Sequence, residues 1–198
     1  MRSASIYLIA FICGFTLMCF EILGSRVLSP YFGQSIYVWG ALISVLLAAL
    51  GLGNYYGGAM ADRNRGFVMP AIMTIICAGY FIIIPWLSYY VCHFITFHLH
   101  DSRTGLLLAA SVIFWLPAFC LGSITPNLVK LLVNDLKSLG RGSGYLLGIS
   151  TTGNIAGTLL TAFLVIGRYS TGLSIQLLAV PMLFCASLSL FLQRSQKR

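Results

Sequence analysis

The chain has 198 residues, of which 59% are hydrophobic and only 8% are charged, and its mean hydropathy is +0.92. A soluble domain of this length carries charges on about a quarter of its residues, so this composition excludes an ordinary soluble enzyme and a disordered chain. A polytopic helical membrane protein remains. The formal charge of +8 does not indicate nucleic-acid binding, because the basic residues stand singly or in pairs between apolar runs.

Six apolar runs, taken in chain order, come close to the 20 or so residues that a helix needs to cross a bilayer core. They cover about residues 6–24, 38–61, 67–91, 106–124, 145–166 and 173–192. None alternates with period two as a β-barrel strand would. We therefore predict an all-α protein in which residues 1–198 form a single transmembrane domain of six helices.

The distribution of basic residues predicts the orientation of these helices. An even number of spans places both termini on the same side of the bilayer. With that side in the cytoplasm, the external segments hold Arg26, Arg103 and Arg168, and the other nine of the twelve Lys and Arg residues are cytoplasmic. We predict that both termini are cytoplasmic. The first run is predicted to be a retained span, because no small-x-small cleavage site follows it.

Glu21 is an ionisable residue inside the first span, where such groups are costly and mark a functional site unless they are paired. Helical spacing places it beside Gly24 and Ser25, a small and polar face that is expected to look into the bundle. Three interpretations stay open: a structural ion pair with Arg26 or another external arginine, a substrate or proton site, and a carboxyl that remains protonated. Pairing with Arg26 requires a helix break near Gly24.

The pentapeptide G-N-x-x-G occurs twice, at 53–57 in the second span and at 153–157 in the fifth. A buried Asn joins neighbouring helices or lines a ligand cavity, and both interpretations stay open. Because three spans form an odd number, two halves sharing this motif would be inverted repeats, as in many secondary transporters. We predict such repeats. The candidate ligand residues are Glu21, Asn54, Asn154, Tyr37 and Thr158.

The external segment Cys92–Asp101 is predicted to be a loop and contains every histidine of the chain: His93, His98 and His100. Imidazole and carboxylate groups bind metals, and His98 and His100 would share an ion on an extended segment. However, His and Phe side chains also suit the headgroup region of a membrane. These histidines are weak candidates, and we predict no metal site and no cofactor.

Catalytic motifs are missing from the sequence. It has no Ser-His-Asp or Cys-His grouping and no H-E-x-x-H, and Gly51-x-Gly53 lies inside a span, where it cannot act as a Rossmann phosphate turn. The six cysteines lack C-x-x-C spacing and are predicted to be packing residues. No catalytic residue is assigned, and enzymatic activity of this chain by itself is not predicted.

Several motifs together resemble one protein family. They are E-I-L at 21–23, R-V-L at 26–28, P-Y-F-G at 30–33, S-I-Y-V-W-G at 35–40, G-N-Y-Y-G-G at 53–58, A-D-R at 61–63, L-G-S at 121–123 and the segment 144–158. This pattern resembles the membrane domain of the spermidine-synthase-like (fused major-facilitator/spermidine synthase) membrane proteins. In that family a cytosolic domain with the aminopropyltransferase fold, which binds decarboxylated S-adenosylmethionine and a polyamine, usually follows. This sequence ends soon after the sixth span, without such a domain.

The resemblance implies a bacterial inner-membrane protein that partners a separate cytosolic aminopropyltransferase-like or methyltransferase-like protein, or a larger membrane complex. The candidate docking residues are the cytoplasmic Arg63, Arg65, Lys130, Lys137 and Arg141. Two alternatives remain: a transporter or exporter of a polyamine or similar cation, working as a homo-oligomer, and a purely structural assembly subunit.

Overall fold

The helices form because a backbone inside lipid must satisfy its hydrogen bonds within its own segment. The computed structural model describes residues 2–63, 66–99, 101–132 and 139–196. Its elements are α1 (Arg2–Phe32), α2 (Ile36–Arg63), α3 (Val68–His98), α4 (Ser102–Leu132), α5 (Leu139–Leu160), a π-helical segment (Thr161–Val165), α6 (Thr171–Leu177) and α7 (Ala179–Gln196). The described residues contain no β-strand.

Six of the helical stretches are long and apolar enough to cross a membrane, with α5 and the π-helical segment forming the fifth and α6 with α7 the sixth. The prediction of an all-α, multi-pass membrane protein is confirmed. The helices extend beyond the predicted spans, and the predicted loop at Cys92–Asp101 is wrong, because α3 continues to His98. No glycine or proline occurs between Pro85 and Asp101 to end that helix earlier.

Contacts between helix ends define the two ends of the bundle. The last turns of α2 and α4 meet through Asp62 and Lys130, and the Phe67 backbone N–H donates to Gln193 near the end of α7. We call this the termini end, since α1 begins and α7 ends here. At the opposite end, Tyr37 at the start of α2 meets Arg103 at the start of α4.

The core is centred on α1, α3 and α4, and the other helices also contribute buried residues to it. The Phe20 ring of α1 lies 5.0 Å from that of Phe81 in α3 and 5.1 Å from that of Phe114 in α4, measured between centroids, and all three are fully buried. All six cysteines are free and buried. The helices α2 and α5 are peripheral, since α2 packs chiefly on α4 and α5 chiefly on α1.

Glycines bring both peripheral helices into backbone contact with their partners. In the α2–α4 pair, a Cβ atom added to Gly53 would collide with the Phe119 carbonyl and one added to Gly57 with the Ser123 carbonyl; likewise, one on Gly122 would meet the Leu50 carbonyl at 2.6 Å. Small residues at these positions allow the close helix packing that stabilises membrane bundles.

The α1–α5 pair has the same contacts. Gly153 faces the Phe11 carbonyl, Gly157 the Phe15 carbonyl and Gly14 the Ser150 carbonyl. The two sets of contacts match position by position. Residues 50, 53 and 57 of α2 correspond to residues 150, 153 and 157 of α5. Residues 119, 122 and 123 of α4 correspond to residues 11, 14 and 15 of α1.

One polar contact follows the same numbering. The Asn127 amide of α4 donates to the Gly57 carbonyl at 3.1 Å, and the Cys19 thiol of α1 donates to the Gly157 carbonyl at 3.5 Å. The two helix pairs therefore share one packing register.

Candidate functional site: the seam between α1 and α5

Glu21 is half-buried on α1, and its carboxylate has no hydrogen bond or ion pair within the described residues. The proposed pairing with Arg26 does not form there. That pairing required a break near Gly24, but α1 is continuous from Arg2 to Phe32, so residues five apart point about 140° from each other. Gly24 has another role, since a Cβ there would meet the Phe114 ring at 2.8 Å.

Glu21 lies on the face of α1 that is turned towards α5. It is seven residues, about two turns, from Gly14 and so shares its face. A Cβ added to Gly14 would lie 2.7 Å from Asn154 Oδ1 and 2.9 Å from Ser150 Oγ. One turn beyond Glu21, Ser25 lines a cavity at the opposite end of the bundle. We call the strip formed by these five residues the α1–α5 seam.

Asn154 is the second notable group of the seam. Its Oδ1 atom is buried and accepts no hydrogen bond from the described residues. A buried acceptor without a donor costs about 1–3 kcal/mol. Within the described residues, the seam thus holds a half-buried carboxylate and an enclosed amide oxygen, both without hydrogen-bond donors.

The cavity at the opposite end has a volume of 240 Å³ and lies between the end of α1, the start of α2 and Ile166 after the π-helical segment. Its polar lining residues are Ser25, Arg26, Ser29, Gln34, Ser35 and Trp39. At this point Gly33 adopts a φ of +77°, which ends α1 and turns the chain into α2. The seam therefore ends in a polar cavity.

Asn54 does not belong to the seam. Its neighbours Gly53 and Gly57 pack on α4, whereas Gly153 and Gly157 pack on α1, and the Asn54 side chain is exposed. The structure therefore does not bring Asn54 together with Glu21 and Asn154 within one chain. The two copies of G-N-x-x-G belong to two different helix pairs.

Tyr37 and Thr158 have different surroundings. Tyr37 is exposed, its hydroxyl accepts from the Arg103 guanidinium at 3.4 Å, and that guanidinium lies 4.7 Å from the centre of its ring. It lines a groove beside α4 and not the seam. Thr158 is half-buried, one turn beyond Asn154 on α5, and so remains a residue of the seam side.

Asn127 is 2% exposed and joins α4 to α2, a role that the sequence pattern does not indicate. Its amide donates to the Gly57 carbonyl at 3.1 Å and to the Ser123 carbonyl at 2.8 Å. The predicted fourth span ended at residue 124, whereas α4 continues to Leu132. The polar amide at position 127, just beyond the predicted end of the span, is the feature of the sequence that could have indicated this residue.

The candidate docking residues are only partly available for a partner. The Lys130 ammonium pairs with the Asp62 carboxylate at 2.6 Å. Arg63 lines a cleft of 630 Å³ at the termini end, and Arg141 is exposed at the start of α5. Arg65 and Lys137 lie outside the described residues.

The described part of the chain holds no group of three or more His, Cys, Asp or Glu side chains that could bind a metal ion. The His93 ring stacks on Tyr89 with centroids 6.1 Å apart, and His98 Nδ1 bonds the Phe94 carbonyl at 2.9 Å. The extended segment expected for His98 is instead the last turn of α3. His100 lies outside the described residues.

Asp101 caps α4, because its Oδ1 accepts the Arg103 backbone N–H at 3.1 Å. This hydrogen bond holds the pKa of Asp101 below its ordinary value. We therefore expect its capping contribution to be complete above the unfolded pKa and to be lost as pH falls through the lower folded pKa. A carboxyl ¹³C NMR titration should give a lower pKa for Asp101 in the folded protein than in a peptide of residues 97–105, and equal values would contradict the assignment.

The arrangement defines a class of protein, a multi-pass helical membrane protein with a polar seam between two of its helices. The chain matches no protein-family model, no curated protein and no solved structure.

Proposed function

We propose that the chain is a membrane carrier of small cationic amines, built from two inverted repeats, α1–α3 and α4–α7, with both termini in the cytoplasm of a bacterial cell. The observation that carries the proposal is the pair of acceptors without donors, Glu21 and Asn154, on one seam.

The shared packing register supports the repeats. The α2–α4 contacts correspond to the α5–α1 contacts, which is the result expected when each half is the counterpart of the other. Three spans per half make the halves antiparallel, and secondary transporters with such repeats bind ligands where the repeats meet. The α1–α5 seam is one such junction. At the equivalent position of the α2–α4 junction, Val129 stands in place of Glu21.

The chemistry of the seam favours an ammonium ligand. A half-buried carboxylate attracts a cation more strongly than one in water, since the effective dielectric constant is lower. Gly14, which adjoins the Asn154 amide, lies about 10 Å along α1 from Glu21. A diamine has the reach to span both acceptors once α1 and α5 separate enough to open the seam at Asn154, whose amide oxygen is enclosed between the two helices in this structure. The resemblance to spermidine-synthase-like proteins supports a polyamine as the cation to test.

Counterflow in proteoliposomes tests this function. Vesicles with the purified chain, loaded with unlabelled putrescine, are expected to take up labelled putrescine faster than protein-free vesicles. Putrescine should compete better than n-butylamine, which has a single ammonium group, and glutamate should not compete. Uptake equal to that of protein-free vesicles would overturn the proposal.

A second function, membrane subunit for a cytosolic aminopropyltransferase-like protein, is favoured by Arg63 in its cleft and by the exposed Arg141 at the termini end. Co-purification with that protein is expected to be lost in the double variant Arg63→Glu/Arg141→Glu and kept in Arg168→Glu at the opposite end. No co-purification from native membranes would leave this function unsupported. A structural assembly role would be indicated if transport were also absent.

A further inference from the structure

A cleft opens between α2 and α3 at the termini end of the bundle. The two helices follow each other in the sequence, but each packs on α4, and among the described residues they make few contacts with each other. The space between them has a volume of 630 Å³, within the range of about 300–1,000 Å³ that is usual for ligand pockets. We call it the α2–α3 cleft. It shares no residue with the seam.

The wall of the α2–α3 cleft is apolar and open to lipid. Met60 of α2 is 47% exposed, and Val68 and Ile72, four residues apart on one face of α3, are each 46% exposed. Met69 and Met73 also line the wall. Three of the six methionines of the chain thus surround one cleft. Their flexible, polarizable thioethers adapt to a ligand of irregular shape.

The mouth of the cleft carries a cation, Arg63. This last residue of α2 is exposed and makes no ion pair with a carboxylate of the described residues. The neighbouring Asp62 carboxylate is engaged by the Lys130 ammonium at 2.6 Å. With 28 residues, α2 is about 42 Å long, close to the thickness of about 40–45 Å of a bilayer with its headgroups. Arg63 at its end therefore lies at the level of the headgroups, and the apolar wall extends towards the hydrocarbon.

Gln193, near the end of α7, adds a hydrogen-bond donor to the cleft. Its Oε1 atom accepts from the Phe67 backbone N–H at 2.7 Å, which fixes the orientation of the amide. Its NH₂ group donates no hydrogen bond within the described residues. Gly66 makes room for this side chain, since a Cβ there would lie 2.9 Å from Gln193 Oε1. Guanidinium and amide N–H groups both donate to phosphate oxygens.

We infer that the α2–α3 cleft binds an acidic phospholipid, with its phosphate at Arg63 and Gln193 and an acyl chain along Met69, Ile72 and Met73. A soluble anion would leave the apolar wall unused, and a hydrocarbon would leave the guanidinium without a counter-charge. A zwitterionic lipid would bring an ammonium group, for which the described lining holds no carboxylate. An amphiphile with net negative charge matches both parts of the cleft. The inference does not rest on the carrier function, and such a lipid would compete with a soluble partner for Arg63.

Native mass spectrometry of the full chain in mild detergent tests the inference. The chain is titrated with phosphatidylglycerol or with phosphatidylcholine of the same acyl chains, so that only the headgroup differs. The first phosphatidylglycerol is expected to bind about fivefold more tightly, the factor that corresponds to one basic residue near an anionic lipid surface. Glycerol 3-phosphate, which has the phosphate without acyl chains, should not compete. Equal binding of the two lipids, or displacement by glycerol 3-phosphate, would overturn the inference.

Two variants separate a site at Arg63 from general attraction to a basic surface. Arg63→Gln removes the charge at the mouth of the cleft and should make the two lipids bind equally. Arg141→Gln is the matched control, because Arg141 is an exposed arginine at the same end that does not line the cleft. This variant should keep the preference for phosphatidylglycerol. Equal losses in both variants would overturn the inference.

Methionine oxidation by hydrogen peroxide locates the lipid in the wild-type chain and does not depend on the folding of a variant. Compared with phosphatidylcholine, phosphatidylglycerol should slow sulfoxide formation at Met60, Met69 and Met73. Met18, half-buried on α1 outside the cleft, is the internal control and should react at an unchanged rate. Equal protection of Met18 would contradict binding in the cleft. Protection of the three cleft methionines in a dimer without added lipid would identify a second copy of the chain as the occupant and overturn the inference.

Discussion

Glu21→Gln is expected to reduce putrescine counterflow about 10–100-fold, close to the level of protein-free vesicles. The substitution keeps the size of the side chain but removes the negative charge that attracts an ammonium group in the seam. Hydrogen bonds to charged groups contribute about 1.5–3 kcal/mol, which corresponds to this range. The measurement is the initial rate of counterflow at equal protein content, with thermal unfolding as the check on folding.

The matched control for this prediction is Asp62→Asn, which also replaces a carboxylate by an amide. Asp62 pairs with Lys130 at the termini end, away from the seam, so counterflow should remain near the wild-type rate. Glu21→Asp keeps the charge and should keep part of the activity. If counterflow is present and Glu21→Gln has no effect, the carrier function survives and the site at Glu21 is wrong.

Gly153→Ala is expected to destabilise the protein by about 1–3 kcal/mol, a typical cost of overpacking. The new Cβ would collide with the Phe11 carbonyl, which belongs to backbone and cannot rotate away. The helices α1 and α5 would have to separate to make room. Thermal unfolding in detergent, followed by tryptophan fluorescence, measures the change.

Gly148→Ala is the control on the same helix, and its expected effect has the opposite sign. Nothing lies within 4 Å of a Cβ at Gly148. Alanine there should leave stability unchanged or raise it by up to about 1 kcal/mol, because Ala is the better helix former. Equal effects of Gly148→Ala and Gly153→Ala would contradict the close packing of α1 and α5.

Gly53→Ala extends the same experiment to the repeats. Gly53 faces the Phe119 carbonyl of α4 as Gly153 faces the Phe11 carbonyl of α1. The two substitutions should therefore cost similar free energies of unfolding. A large cost at one position and none at the other would argue against equivalent halves.

Part of the candidate site could be predicted from the sequence. The sequence predicts the face that Glu21 shares with Gly14 and Ser25, because helical periodicity alone brings these residues together on α1. The absence of an ion pair with Arg26 could not be predicted, since it depends on whether α1 bends at Gly24. The close approach of the Phe114 ring to Gly24 accounts for that glycine within a continuous helix.

The two G-N-x-x-G motifs show the limit of local pattern most clearly. The sequence allows the same interpretations for both, yet Asn54 is exposed, whereas Asn154 has a buried amide oxygen without a partner among the described residues. The difference arises from the surroundings, because α2 lies against α4 and α5 against α1. A motif identifies the face that packs but not the helix on which it packs.

The sequence by itself determined the class of protein, the number of spans and the approximate position of each helix, because transfer of a segment into lipid depends on its own length and apolar content. Only the tertiary structure decided which helices pair and which amide is buried. Lipid-facing and bundle-facing side chains of a membrane helix are equally apolar, so hydropathy does not distinguish them. The contacts that do distinguish them join residues far apart in the sequence, such as Asn127 with Gly57, Gly14 with Ser150 and Cys19 with Gly157.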